Sequence, residues 1–208
     1  MPTYTGISFV ELAIVDADRR YPDLAGRVGR GKIFALGDGK ALIAQRNSGG
    51  KIHVYVALAL AEGEWAAFDR LSAQSARDAL IAHLSGWSAN LLAFINASDD
   101  QISARPIYAF PVGYRWAHSS GVTLIGDAAH VMSPFAGEGV NQAMLDALEL
   151  AKAISGSDWR AGVKAYEDAM FTRIPQIAQE SADNMDAFLG PDGLANAMRI
   201  FSSLGHVP

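Results

Sequence analysis

The chain of 208 residues has no cysteine, which excludes disulfide staples and any zinc or iron–sulfur site built on thiolates. It has no cluster of lysine or arginine and a formal charge of −5, so no surface is built to neutralise a phosphate backbone. No apolar run reaches the roughly 18 residues of a membrane-spanning helix. The best candidate, VYVALALA at 54–61, has the length of a strand. The opening MPTYTGISFVEL lacks the basic region and apolar stretch of a signal peptide. Internal repeats and low-complexity tracts are absent too. These absences lead us to expect a cytoplasmic protein with neither nucleic acid nor membrane as partner. Apolar side chains are abundant: 50% of residues are hydrophobic against 19% charged, enough for the core of one large or two small domains.

Along the chain, TGISFVELAIV at 5–15 is rich in β-branched and aromatic residues and predicts a strand. A polar stretch at 16–31 predicts turns. KIFAL at 32–36, ALIAQR at 41–46 and IHVYVALAL at 52–60 predict three more strands, joined by the turn sequences GDGK and NSGGK into an antiparallel meander. His53 and Tyr55 share one face of the last of these. Helical spacing follows at 72–87 and 87–98, then strand character at 105–116, broken by Pro111. VTLI at 122–125 is apolar throughout, as a strand buried on both faces would be, yet the chain offers few parallel neighbours for it. Helices are expected at 140–154, 158–188 and 191–203, with Pro175 kinking or dividing the middle one. The expected fold class is α+β.

The most specific stretch is GDAAHVMSPFAGEGVNQAMLDALELA at 126–151. Asp127 follows the expected strand, where open α/β sheets place ligands. Gly137 and Gly139 let a backbone approach a flat ligand closely. The helix that starts near Gly139 offers unpaired N–H groups and partial positive charge. The combination suits a large, planar, partly anionic cofactor, although any two of these residues alone are ordinary turn chemistry.

This run resembles the second FAD-binding motif of the group A flavoprotein monooxygenases, which are similar to para-hydroxybenzoate hydroxylase, and especially their tetracycline-inactivating branch. YEDAMFTRIPQIAQESADNMDAF at 166–188 resembles that branch's C-terminal helix. The resemblance implies an antiparallel substrate-binding domain at 1–118 and the C-terminal part of an FAD-binding Rossmann-like domain at 119–208. It implies FAD as cofactor and NAD(P)H as co-substrate of the intact enzyme. The implied activity is hydroxylation of an aromatic or polycyclic compound with O2 through a flavin C4a-hydroperoxide. Carried over by position, Asp127 meets the ribose–pyrophosphate region, with Gly126 before it among the cofactor-binding residues, and Pro134 lies near the isoalloxazine. Gly137, Glu138, Gly139, Val140 and Asn141 run along the ring's pyrimidine side. Phe135 lines the substrate cavity, and His53 and Tyr55 stand on the substrate face of the sheet, or are ordinary half-buried strand residues. No catalytic residue and no metal site is implied.

The sequence departs from the family in having no GxGxxG turn. The expectation is that this chain alone binds FAD weakly or not at all. It is then the C-terminal portion of a longer enzyme, a truncated descendant, or one partner of an N-terminal FAD-binding segment. The alternative is a non-catalytic remnant acting as a binding or interaction module. Ala41 falls where tetracycline-inactivating relatives tend to carry an arginine, which weakens tetracycline as the substrate. His130 reads as a loop histidine with local hydrogen bonds rather than a catalytic base. Arg46 and Arg105 read as surface ion pairs rather than partners of an acidic substrate. Asp99 and Asp100 read as a solvated turn, and Trp65, Trp87, Trp116 and Trp159 as packing.

Overall fold

The computed structural model describes residues 1–203, in two compact units. One comprises residues 6–107 with the C-terminal stretch from 187, the other residues 1–5 and 108–186. In chain order the elements are β1 (Thr3–Ile14), α1 (Ala17–Arg20), α2 (Pro22–Val28), β2 (Lys32–Gly37), β3 (Lys40–Arg46), β4 (Ile52–Ala59), α3 (Ala73–His83), α4 (Ala89–Asn96), β5 (Ser103–Ala109), α5 (Asp127–His130), α6 (Gly139–Ile154), α7 (Trp159–Phe188) and α8 (Gly193–Ser203). The expected α+β class is what the chain forms.

In the first unit the strands form one sheet of order β2-β3-β4-β1-β5. Asp38 and Gly39 both take positive φ, 52° and 70°, which is the two-residue turn that an Asp-Gly pair favours and that fixes the Gly37–Lys40 register. Antiparallel pairing continues from β3 to β4 and from β4 to β1, where Tyr55 stands opposite Glu11 and His53 opposite Ala13. Alternation does the rest. Val10, Leu12, Ile14, Leu42, Ala44, Val54 and Val56 are fully or almost fully buried, in one core with Leu80 and Leu84 at α3 and Phe94 and Ile95 of α4. Each of the larger aliphatic and aromatic side chains among them contributes about 1.5–3 kcal/mol relative to exposure.

Two expectations fail here. The stretch 16–31 is not merely turns but holds α1 and α2. Pro22 starts α2, where its missing N–H is harmless, and Leu24, Ala25 and Val28 are buried beneath it. Seven residues are too few for helical spacing to stand out from a polar background. The second failure is 122–125, which forms no strand. The sole pairing there is an isolated bridge between Ser119 and Val122, and Val122, Leu124 and Ile125 are exposed. A ladder needs a partner, and among the described residues none runs beside it. Side chains hold the segment instead: Thr123 Oγ1 donates to Glu167 and Tyr166 Oη to the Leu124 carbonyl.

In the second unit Pro175 lies inside α7 without dividing it. Proline has no N–H, so the Phe171 carbonyl one turn earlier lacks its helical donor. Arg115 supplies the replacement, with Nη2 3.1 Å from that oxygen and its guanidinium over the Phe171 ring.

Candidate functional site

All eight expected cofactor residues lie in the unit that contains 108–186, on the connection from Gly126 to the first turn of α6. Gly126 takes φ 58°, a conformation that favours glycine, and a Cβ there would sit 3.1 Å from that of Ala143, a tight contact. Asp127 opens α5 and is exposed, and no partner of its carboxylate is found among the described residues. Ser133 and Ser181 lock the next step: each hydroxyl donates to the other's carbonyl, at 2.9 and 2.6 Å. Pro134, Phe135 and Ala136 then form a single 3-10 turn, closed by Gly137 at φ 71°. Asn184 Nδ2 donates to the Phe135 carbonyl at 3.3 Å.

Glu138 stands at the N-cap of α6, its carboxylate accepting from Asn141 and Gln142 at 3.4 and 3.2 Å. No side chain caps the helix, which leaves the N–H groups of its first turn directed out of its end. Val140 is 72% exposed. A Cβ at Gly137 or Gly139 would meet nothing within 4 Å, and Gly139 has an ordinary φ. Gly139 is therefore a glycine that neither backbone strain nor packing demands.

Two buried carboxylates stand behind this connection. Asp146 on α6 accepts from the Gly126 N–H at 2.9 Å, His130 Nε2 at 2.6 Å and Arg173 Nη2 at 2.8 Å. Burial alone would raise its pKa. The His130 and Gly126 hydrogen bonds and the nearby positive charge outweigh that and hold it below the usual carboxylate range. Arg173 also donates to Glu149 and Gln142, at 2.7 and 2.9 Å. Glu167 on α7 takes donors from His118, Thr123 and Trp116 at 2.6, 2.8 and 3.3 Å. Against the upward push of its burial, those donors lower its pKa. Tyr166, beside both carboxylates, is pushed up, first by burial and then by the charge of Asp146.

His53 and Tyr55 belong to the sheet of the other unit and lie side by side on β4, with ring centroids 6.1 Å apart. Burial lowers the His53 pKa, helped by Lys51, and raises that of Tyr55. On the same face Phe9 lies 6.0 Å from Tyr55, and Glu11 pairs with Arg105 at 3.5 Å. Arg46 pairs with Asp18, as expected for a surface arginine. Asp99 and Asp100 are not free in a turn but anchor Arg20 and Arg77.

Residues 95–181 match the family model described as an FAD binding domain. The monooxygenase asqM of Emericella nidulans is 31% identical, over 88% of this chain and 54% of its own length. The chain is similar to FAD-dependent monooxygenases. It spans about half the length of the curated relatives it matches. Klebsiella pneumoniae HpxO, solved with FAD and uric acid, shares the fold with a TM-score of 0.77 at 21% identity, over 98% of this chain and 50% of its own. The tetracycline destructase Tet(51) shares it at 0.62 and 14% identity, over 98% and 54%. No described helix is long and apolar enough to cross a membrane.

Sequence reasoning singled out the 126–141 connection but passed over what braces it. The backbone N–H of His130 makes a local hydrogen bond, to the Gly126 carbonyl, but its ring bonds to Asp146, sixteen positions away. Asp146 and Glu167 had one available signal, an acidic residue on the inner face of an amphipathic helix. Arg173 and His118 had none, because their roles come from contacts across long sequence separations.

Proposed function

We propose that residues 126–141 form the flavin-binding loop of an FAD-dependent monooxygenase. In that reading the chain supplies its substrate-binding portion, 1–118, and the C-terminal part of its FAD-binding domain, 119–208. The whole enzyme hydroxylates an aromatic or polycyclic small molecule with NAD(P)H and O2. FAD, when bound, supplies the activation of oxygen, and this chain's residues bind, orient and exclude water. Asp127 accepts hydrogen bonds at the ribose–pyrophosphate end. Backbone N–H groups of 137–141, together with the dipole of α6, stabilise negative charge on the pyrimidine edge of the ring. Pro134 and Phe135 shield the ring from water, and His53 and Tyr55 contact the substrate.

The observation that carries the reading is Gly139. It is uncrowded and unstrained, at the start of a helix with no side-chain cap, on the same connection as an Asp127 carboxylate for which no partner is found among the described residues. Close approach of a flat, partly anionic ligand accounts for all three features. The absence of a GxGxxG turn removes the usual seat of the pyrophosphate. The 208-residue chain by itself therefore binds FAD weakly. Flavin absorbance after purification and a titration with added FAD test this, with Asp127→Ala expected to abolish the residual binding. A stoichiometric yellow complex would overturn the weak-binding claim, and unchanged titration by Asp127→Ala would overturn the loop assignment.

A further inference from the structure

Asp146 has no apolar reason to be where it is. It is completely buried on α6, where a leucine or methionine of similar volume would pack without the cost of removing a charge from water. What it does instead is join three separate pieces of chain. One carboxylate oxygen accepts both the Gly126 N–H and His130 Nε2, and the other accepts Arg173. A carboxylate only accepts, so the His130 proton sits on Nε2, and its buried Nδ1 has no partner among the described residues. The ring is thereby fixed in one tautomer and one orientation at the end of α5. Arg173 extends the brace, because its Nε donates to Gln142, whose amide donates to Glu138 at the start of α6. Both ends of the 126–141 connection are thus tied to one ion pair.

We propose that Asp146 is the positioning residue of this connection: through the Gly126 N–H and the His130 ring it sets the backbone of residues 126–130 for ligand binding, with Arg173 holding it in place. The proposal rests on the reading of 126–141 as the flavin loop. It concerns geometry rather than contact, since Asp146 is sealed beneath the loop.

The test compares Asp146→Ala and Asp146→Asn with Val163→Ala, a core truncation in the same unit, in the 208-residue chain. All are measured at the same interval below their own melting temperatures. Three quantities are read: the His130 ring 15N shifts, the Gly126 amide exchange rate, and the FAD dissociation constant from NMR titration. Asp146→Ala is expected to turn the single Nε2–H tautomer into a mixture and to raise both the exchange rate and the dissociation constant about tenfold or more, the loss of hydrogen bonds to a charged group. Asp146→Asn keeps an acceptor for Gly126 and is expected to fall between, and it serves where the alanine variant does not fold. If neither Asp146 variant departs from the Val163→Ala control in tautomer or exchange rate, the proposal is overturned. If tautomer and exchange move but FAD affinity does not, the positioning role stands and the flavin reading of the loop is what fails.

Discussion

At the scale of single residues, this protein uses buried carboxylates as anchors rather than as reagents. Glu167 is 1% exposed and holds Trp116, His118 and Thr123, so it fixes the segment that the sequence reading took for a strand. Its pKa in the folded chain lies below the ordinary glutamate value, so its ionised form stabilises the fold at neutral pH. That contribution is fully present above the unfolded-state value of about 4.3 and is lost as pH falls through the lower, folded value. Trp116 fluorescence followed from pH 7 to 2 is therefore expected to report loosening of this unit below about pH 4. In Glu167→Gln that acid-induced step should be flattened and stability at pH 7 lowered by about 1–3 kcal/mol, because the amide cannot accept from all three donors. An acid transition identical in the variant would show that another carboxylate controls it.

At the scale of elements, the close packing of α6 on α7 depends on one glycine. A Cβ at Gly162 would collide with the Ala153 backbone carbonyl, which cannot swing aside as a flexible side chain would. Helix propensity by itself favours Gly162→Ala by about 1 kcal/mol. Overpacking against backbone costs about 1–3 kcal/mol, so the net expectation is destabilisation. Denaturant titration decides between the two, and a variant more stable than the parent would mean that the helices separate at little cost. Pro175 and Arg115 show the same principle in the opposite direction. The missing donor of the proline was legible in the sequence, but the arginine that replaces it stands 56 residues before the carbonyl it serves, at Phe171, and α7 is not divided. The hairpin of β2 and β3, by contrast, was legible in full, since Asp-Gly between two apolar runs is a local code.

At the scale of the whole molecule, the notable feature is apolar surface left open. Val140, Met144 and Leu148 follow one another at every fourth position of α6 and are 72%, 62% and 51% exposed. Val122, Leu124 and Ile125 add to the apolar surface of the same unit. Surface of that kind drives association. Sedimentation velocity is expected to show concentration-dependent self-association, reduced when Met144 and Leu148 are both replaced by lysine. Sedimentation unchanged by the double replacement would place the contact elsewhere.

The sequence by itself determined what depends on neighbours in the chain. This covers the alternation of β1 to β4, the Asp-Gly hairpin, the helical spacing of α3, α4 and α6, and the glycine pattern of 126–141 that carries the resemblance. Each is a matter of local backbone preference and of which face a side chain takes. Tertiary structure decided what depends on partners. VTLI has every composition mark of a buried strand, yet without a neighbouring strand its peptide groups have no ladder to join and its side chains face outward. Asp146 carries only the weak signature of an acidic residue on the inner face of a helix and Arg173 none, and only the folded chain brings Arg173 of α7 and His130 of α5 within hydrogen-bonding distance of Asp146 on α6.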